Sequence, residues 1–313
     1  MKKIAILGAN PAWQKTLSFS GFATGKVNRA DSLEEFASGK GINCARACRC
    51  YCKSIPYILQ YAGGENGKRL VEFLDKENFL HATVKTAAPT RCCTTLLDKV
   101  SGTTTECIEP SYSAEKQETR ELLTLAEKTL AQCNAAAVCG TLPGNTPTDV
   151  YTSFGLLARK YNVPLLLDAC KGVDGVLDCG CTVDLKINLE ELFQLSGCTK
   201  VESAIEKLFT HYSHLRYLAV TDGPGTAFAS DGKKLVSYSI PELQNITSTL
   251  GCGDTATAVF CTELAAGTPF DISFKYALGA ASANCLTALC GQFDPQMALK
   301  ISDKTQMNTC NWR

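Results

Sequence analysis

Between Leu250 and Ala265 the chain reads LGCGDTATAVFCTELA: two glycines around Cys252, an aspartate, then small and apolar residues. Glycine lets backbone N–H groups converge where a helix begins, and the helix dipole there favours an anion. Gly251, Cys252, Gly253 and Asp254 thus have the makings of an anion hole. Two roles are open to the Asp254 carboxylate. It can cap the helix, which is the commoner task of an aspartate at an N-terminus. It can also take the proton of a substrate hydroxyl while that oxygen attacks a phosphoryl group held over the hole.

Three further segments bear on that choice. Ser38 to Asn43 reads SGKGIN ahead of a helix, so Gly39, Lys40 and Asn43 offer a polar cradle to a hydroxylated or phosphorylated ligand. It is not a P-loop, because GxxxxGK followed by Ser or Thr is absent, and Gly-Lys-Gly is also common in solvated turns. TDGPGT, Thr221 to Thr226, follows the apolar run YLAV. Its glycine-rich turn either admits the phosphates or ribose of a nucleotide or simply joins two strands. In KINLEE, Lys186 to Glu191, Asn188 and Glu191 stand three apart on one helical face. That spacing can orient a hydrated Mg2+, and N-capping by Asn188 accounts for it equally well.

Such segments need a frame, and the hydrophobic pattern supplies one. Apolar runs alternate with amphipathic stretches: IAIL then Cys44 to Cys52, YILQYAG then Gly67 to Glu77, AAAVCG then Thr148 to Tyr161, with PLLLDA, VDLKIN and YLAVTDG further on. Continuous apolar strands separated by helices imply a parallel sheet buried on both faces. The rhythm breaks at about 14–37 and 90–109, where Thr, Ser, Val and Phe, with turns such as ATGK and SGT, predict strands of a small separate sheet. Placed near the C-terminal ends of the core strands, it would lie over the site as a lid and exclude water; an ordinary surface sheet is the alternative.

Composition narrows the classes. With 313 residues, 45% of them hydrophobic, one large core is expected, hence a single domain over 1–313. Lys+Arg and Asp+Glu both number 31, so no global field draws the chain to nucleic acid or to an acidic membrane, and phosphate binding must be local. MKKIAILGAN reads as a first strand rather than a signal peptide, and no run approaches a membrane span; a cytoplasmic protein is expected. The 18 cysteines contain no CxxC pair and stand apart from His81, His211 and His214. They read as reduced, mainly structural thiols, Cys139, Cys170, Cys261 and Cys285 in apolar stretches.

In this order the segments resemble the PfkB family of ribokinase-like kinases, on the branch of 1-phosphofructokinase and tagatose-6-phosphate kinase. The likeness spans nearly the whole chain: ANPA at Ala9 to Ala12, GKVNRA at Gly25 to Ala30, GKGINCAR at Gly39 to Arg46 and GGENG at Gly63 to Gly67. It continues with Thr90-Arg91, Glu109-Pro110, GTLPG at Gly140 to Gly144, Leu167-Asp168 and LGCGD. The resemblance implies a three-layer α/β/α fold, a mainly parallel central sheet and a small β-sheet lid. It also implies an ATP-dependent sugar-phosphate kinase acting on a ketohexose monophosphate with Mg2+. By position, Asp254 would be the base, and the amides of Gly251, Cys252 and Gly253 would stabilise the transferring phosphoryl group.

The same carry-over assigns Lys186, Asn188 and Glu191 to phosphates and, through water, Mg2+. Thr221, Gly223 and Gly225 match the nucleotide loop, and Asn284 the border of the adenine site. On the sugar side stand Asn10, Gln14, Gly39, Lys40 and Asn43, with Lys26 and Arg91 on the lid gripping the substrate's phosphate. Three positions depart from the family pattern: Gln14 replaces an aspartate that reads sugar hydroxyls, Ser38 a glycine, and Ile108 a polar residue. Gln14 loses a charge and gains a donor, so the sugar stays open. A kinase of an unphosphorylated sugar or nucleoside and a non-catalytic sugar-phosphate sensor are the competing readings. A dehydrogenase is disfavoured, since no GxGxxG follows the first strand. An apolar lid face predicts a homodimer through the lid sheet.

Overall fold

The structure is a computed structural model that describes residues 1–311. It opens with β1 (Lys2–Leu7), β2 (Ala12–Phe19) and β3 (Ser32–Ser38), then α1 (Lys40–Tyr51), β4 (Ser54–Gly63), α2 (Gly64–Lys76) and β5 (Leu80–Thr86). A second excursion makes β6 (Cys92–Asp98) and β7 (Thr103–Ile108) before α3 (Lys116–Leu130), β8 (Ala135–Cys139), α4 (Asp149–Lys160) and β9 (Leu165–Asp168). Next come α5 (Asp174–Leu177), β10 (Val183–Asn188), α6 (Leu189–Ser196), α7 (Val201–His211) and β11 (Leu215–Thr221). The chain finishes with β12 (Ala227–Ser230), β13 (Lys234–Ser239), α8 (Cys252–Ala266), α9 (Phe270–Asn284), α10 (Pro295–Lys304) and β14 (Gln306–Asn311).

Ten strands form one sheet in the order β14-β13-β12-β11-β10-β9-β8-β1-β4-β5. From β11 to β5 every neighbour is parallel, and β12, β13 and β14 extend the edge antiparallel. Alternation along β1 shows why its run is apolar throughout. Ile4 and Ile6 enter a core shared with α1, α8 and α9, while Ala5 and Leu7 enter a second core with α3, α4 and α7. A strand buried on both faces has no polar side to show.

Sheet order reverses at β1. The chain leaving β1 pairs next with β4 on one side, and β8 later takes the other. A crevice opens beyond the carboxyl ends of the strands at such a switch point, where α/β sheets bind their ligands. Over that end sits the separate four-stranded sheet, β3-β2-β6-β7, with β2 and β6 parallel and both outer pairs antiparallel. It is built from the two stretches whose rhythm departed from βα.

Two helices begin earlier than the amphipathic pattern suggests: α1 at Lys40 rather than Cys44, α2 at Gly64 rather than Gly67. For α1 the reason is close packing. A Cβ on Gly8 or Gly41 would lie 2.6 Å from the other's Cα, so backbone touches backbone and SGKGIN is drawn into the first turn of α1 against the end of β1. All 18 cysteines are free thiols, and Cys44, Cys48, Cys139 and Cys261 pack in the core as small apolar groups. Among the described residues no helix is long and apolar enough to cross a membrane.

That contact gives a test. Gly41→Ala forces a methyl into occupied space and is expected to cost about 1–3 kcal/mol, the usual toll of overpacking. A urea titration that leaves the midpoint unchanged would show that β1 and α1 part freely.

Candidate active site

A cleft of about 610 Å³ lies at the switch point. Five core strands contribute from their carboxyl ends: Asn10 after β1, Gly140 and Thr141 after β8, and Asp168, Asn188 and Thr221 at the ends of β9, β10 and β11. Gln14, Cys93, Thr95, Glu106 and Ile108 of the small sheet cover it, and Gly251, Gly253 and Asp254 complete its floor. Between Arg91, Ser111 and Tyr112 a narrow annex of about 30 Å³ shares Asn10 and Arg91 with the cleft.

The floor starts with a left-handed glycine. Gly251 has φ 77° and is the N-cap of α8, and a Cβ there would sit 2.8 Å from the Cys290 Cβ. Asp254 is therefore not the cap. It lies in the first helical turn, only 6% exposed, with Oδ2 accepting from Asn43 Nδ2 at 2.8 Å. First-turn amides have no carbonyl within the helix to bond, so those of Gly253 and Asp254 lie where an anion would be received. The amide of Cys252 bends back onto the Thr249 carbonyl at 3.4 Å.

Behind this turn stands Asp168, 1% exposed. Its Oδ1 lies 3.2 Å from Lys40 Nζ and 3.5 Å from Lys186 Nζ, and the Thr257 hydroxyl donates to Oδ2 at 2.7 Å. Lys186, 4% exposed, also donates to the Gly253 carbonyl at 3.1 Å. The ion pair therefore grips the backbone of the first turn of α8.

These contacts push two neighbouring carboxyls apart. Burial favours the protonated form of Asp168, but Lys186, Lys40 and the Thr257 hydroxyl outweigh it and hold the pKa below the usual carboxylate range. Burial pushes Asp254 up to about 6; Lys40, Asn43 and Lys186 oppose that rise, and the charge on Asp168 adds to it. Lys40 is held firmly protonated by Asp168 first, against its own burial, with Asp254 helping. One carboxylate is fixed as an anion while the other is poised near neutrality.

Other residues singled out in the sequence divide. Gln14 is buried, donating to Thr95 Oγ1 at 2.8 Å and the Lys15 carbonyl at 3.1 Å. Asn10 donates to Ser111 Oγ and Thr141 Oγ1, and Arg91 Nη2 to the Asn10 carbonyl at 3.2 Å. The Arg91 Nε is buried without a partner, an unspent donor beside the annex. Asn188 and Glu191 line the cleft but form a capping box for α6, Oδ1 accepting from the Glu191 amide and Glu191 Oε2 from the Asn188 amide.

Besides Cys252, four of these positions do not line the cleft. Lys26 lies in the exposed loop between β2 and β3. Gly223 and Gly225 make the turn from β11 to β12, closed by the Gly225 amide on the Asp222 carbonyl, and only Thr221 reaches the lining. Asn284 is fully buried and bonded to Leu250, Thr255 and Gly291, so it braces the loop ahead of α8.

Sequence reasoning had passed over Asp168 as a site residue, and with it Thr257, Thr95 and Glu106. An aspartate closing the apolar run PLLLDA was the available signal for Asp168; nothing local marks the others. Among the described residues no group of three or more His, Cys, Asp or Glu side chains could hold a metal ion. Magnesium keeps most of its waters and takes phosphate oxygens with one or two carboxylates. Glu191, on the cleft wall, fits that need.

The crossover order, the switch-point cleft and the covering sheet define a ribokinase-like α/β fold. Phosphofructokinase-2 of Escherichia coli with fructose-6-phosphate superposes with a TM-score of 0.85, at 22% identity over 97% of this chain and 99% of that one. A possible 1-phosphofructokinase of Thermotoga maritima gives 0.88, at 17% identity over 99% and 100%. The sequence model of the pfkB family carbohydrate kinases matches residues 1–297, and the chain belongs to that family.

Asp168→Ala leaves Lys186 buried without its counter-charge. The expected loss is about 3–5 kcal/mol of stability, the cost of stranding one partner of a buried pair. Denaturant melts that match the unsubstituted protein would show that the pair carries no such burden.

Proposed function

We propose that this sugar kinase transfers the γ-phosphate of ATP to a hydroxyl of a ketohexose monophosphate, with Asp254 as the base. The observation that carries the reading is the buried Asp254, its pKa raised to about 6, in the first turn of α8, where the Gly253 and Asp254 amides have no carbonyl within the helix to bond. Asp254 takes the acceptor's proton as the hydroxyl oxygen bonds to phosphorus and the bond to the departing ADP oxygen breaks. Of the amides that the resemblance assigns to the phosphoryl oxygens, that of Cys252 is turned onto the Thr249 carbonyl, so those of Gly251 and Gly253, with Asp254 beside them, would stabilise the charge. Glu191 would hold Mg2+ through water, and the ion would neutralise phosphate charge.

On the acceptor side, the Arg91 guanidinium and its unspent Nε suit a substrate phosphate in the annex. Asn10, Gln14, Gly39, Lys40 and Asn43 would hold the sugar, and the small sheet would act as the lid. Leu33, on the face of that sheet turned away from the cleft, is 52% exposed, which supports pairing of lids in a homodimer. ATP would lie toward Thr221, Lys186 and Asn188. One observation favours a second reading, an unphosphorylated acceptor: of the two cations that the resemblance gives to the substrate's phosphate, Lys26 lies outside the cleft.

Turnover with MgATP on fructose 1-phosphate, fructose 6-phosphate, tagatose 6-phosphate and the free hexoses separates the two. A sugar phosphate is expected to outrun every free sugar, and the reverse order selects the second reading. With the best acceptor, Asp254→Asn should keep nucleotide affinity and lower kcat by at least about 10²-fold, as loss of a general base does. Unchanged kcat in that variant removes Asp254 from the reaction.

A further inference from the structure

Cys252 opens α8, and Cys285 is the residue just past the end of α9. Their sulfurs stand 3.2 Å apart, and both thiols are partly accessible. A disulfide needs about 2.05 Å between sulfurs, so a shift of about an ångström joins them. The pair is tied into the site: Asn284 Nδ2 donates to Cys252 Sγ at 3.4 Å and to the Leu250 carbonyl at 3.0 Å. Cys290 backs the pair from beneath Gly251. Sulfur at position 252 thus stands inside the segment whose amides face the cleft.

We propose that Cys252 and Cys285 are a redox modification site, a dithiol that a peroxide converts to a disulfide and that thereby arrests turnover. The arrest rests on the kinase reading above; the bond does not. The thiolate of Cys285 attacks one peroxide oxygen, the O–O bond breaks, and the departing hydroxide takes up the proton that the thiol had released, giving a sulfenic acid and one water. The sulfur of Cys252 then attacks the sulfenic sulfur, the S–O bond breaks, and its own proton leaves with the hydroxide as a second water. In sum two thiols and one hydrogen peroxide give one disulfide and two waters, two electrons passing from sulfur to oxygen.

The order of attack follows from the hydrogen bond between the thiols. Donation from Cys252 holds the Cys285 thiol below its ordinary pKa, against the effect of burial, and so favours its thiolate. The consequence follows from position. Cross-linking draws the first residue of α8 toward α9, and with it the amides that must meet the phosphoryl oxygens. A misplacement of about 1 Å in such groups costs on the order of 10²-fold in rate.

The experiment treats the full chain with hydrogen peroxide, then dithiothreitol, and follows peptide mass and kinase turnover together. Expected are a Cys252–Cys285 linked peptide, a loss of turnover of about 10²-fold and its recovery on reduction. Cys285→Ser, which can keep the bond to the Ala281 carbonyl, should turn over like the parent and resist peroxide; Cys285→Ala serves if serine impairs folding. Exposed Cys52 and Cys107 provide the competing oxidation, so a Cys285 variant as sensitive as the parent overturns the proposal. Absence of the linked peptide, or a linked protein that still turns over, overturns it too. A reduced chain with no kinase activity would sink the kinase reading and the arrest, while the peptide map would still decide the bond.

Discussion

One buried carboxylate organises this site. Removing an ion from water costs several kcal/mol even after relaxation, so Lys186 can be sunk beneath α8 only because Asp168 stands beside it and the Gly253 carbonyl accepts from it. In return the ion pair fixes that carbonyl, and hence the turn whose amides face the cleft. Lys40 reaches the same carboxylate from α1, so the helices that begin on either side of the switch point share a single electrostatic anchor. Such a pair is worth little as net stability, but its geometry sets where everything nearby can stand.

The anchor also explains how two aspartates in one cleft acquire opposite characters. Asp168 has two ammonium groups and a hydroxyl and remains an anion; Asp254 has Asn43 and sits in a buried turn, where burial raises its pKa. Asn43 in turn accepts from Ser38 and Arg46. Ser38, a departure from the usual glycine, thus takes part in orienting the amide that bonds Asp254.

Much of the frame could be read from the chain because strands buried on both faces are apolar without interruption, and helices between them keep their period. The small sheet betrayed itself by breaking that rhythm. Less legible were the starts of α1 and α2, since glycines that usually mark loops were used for close contact, Gly41 against Gly8 for α1 and Gly67 against Ala62 for α2. Within the site, Asp254 looked locally like a helix cap, yet Gly251 holds that position because its backbone is left-handed against Cys290. Asn188 and Glu191 did become a cap while still lining the cleft. Asn284 proved to be a brace, and Asp168 went unassigned, because partners 18, 89 and 128 residues away leave no pattern in spacing.

The central claim is that a buried Asp254, its pKa near 6 and kept from rising further by Lys40, takes the acceptor's proton. The pH dependence of kcat/KM reports the ionisation of the free enzyme. With the preferred acceptor it should fall tenfold per pH unit below an apparent pKa of about 6. Lys40→Met, which removes a charge that favours the carboxylate, should move that limb to higher pH. A profile flat down to about pH 5, or a limb that Lys40→Met leaves in place, would contradict the account.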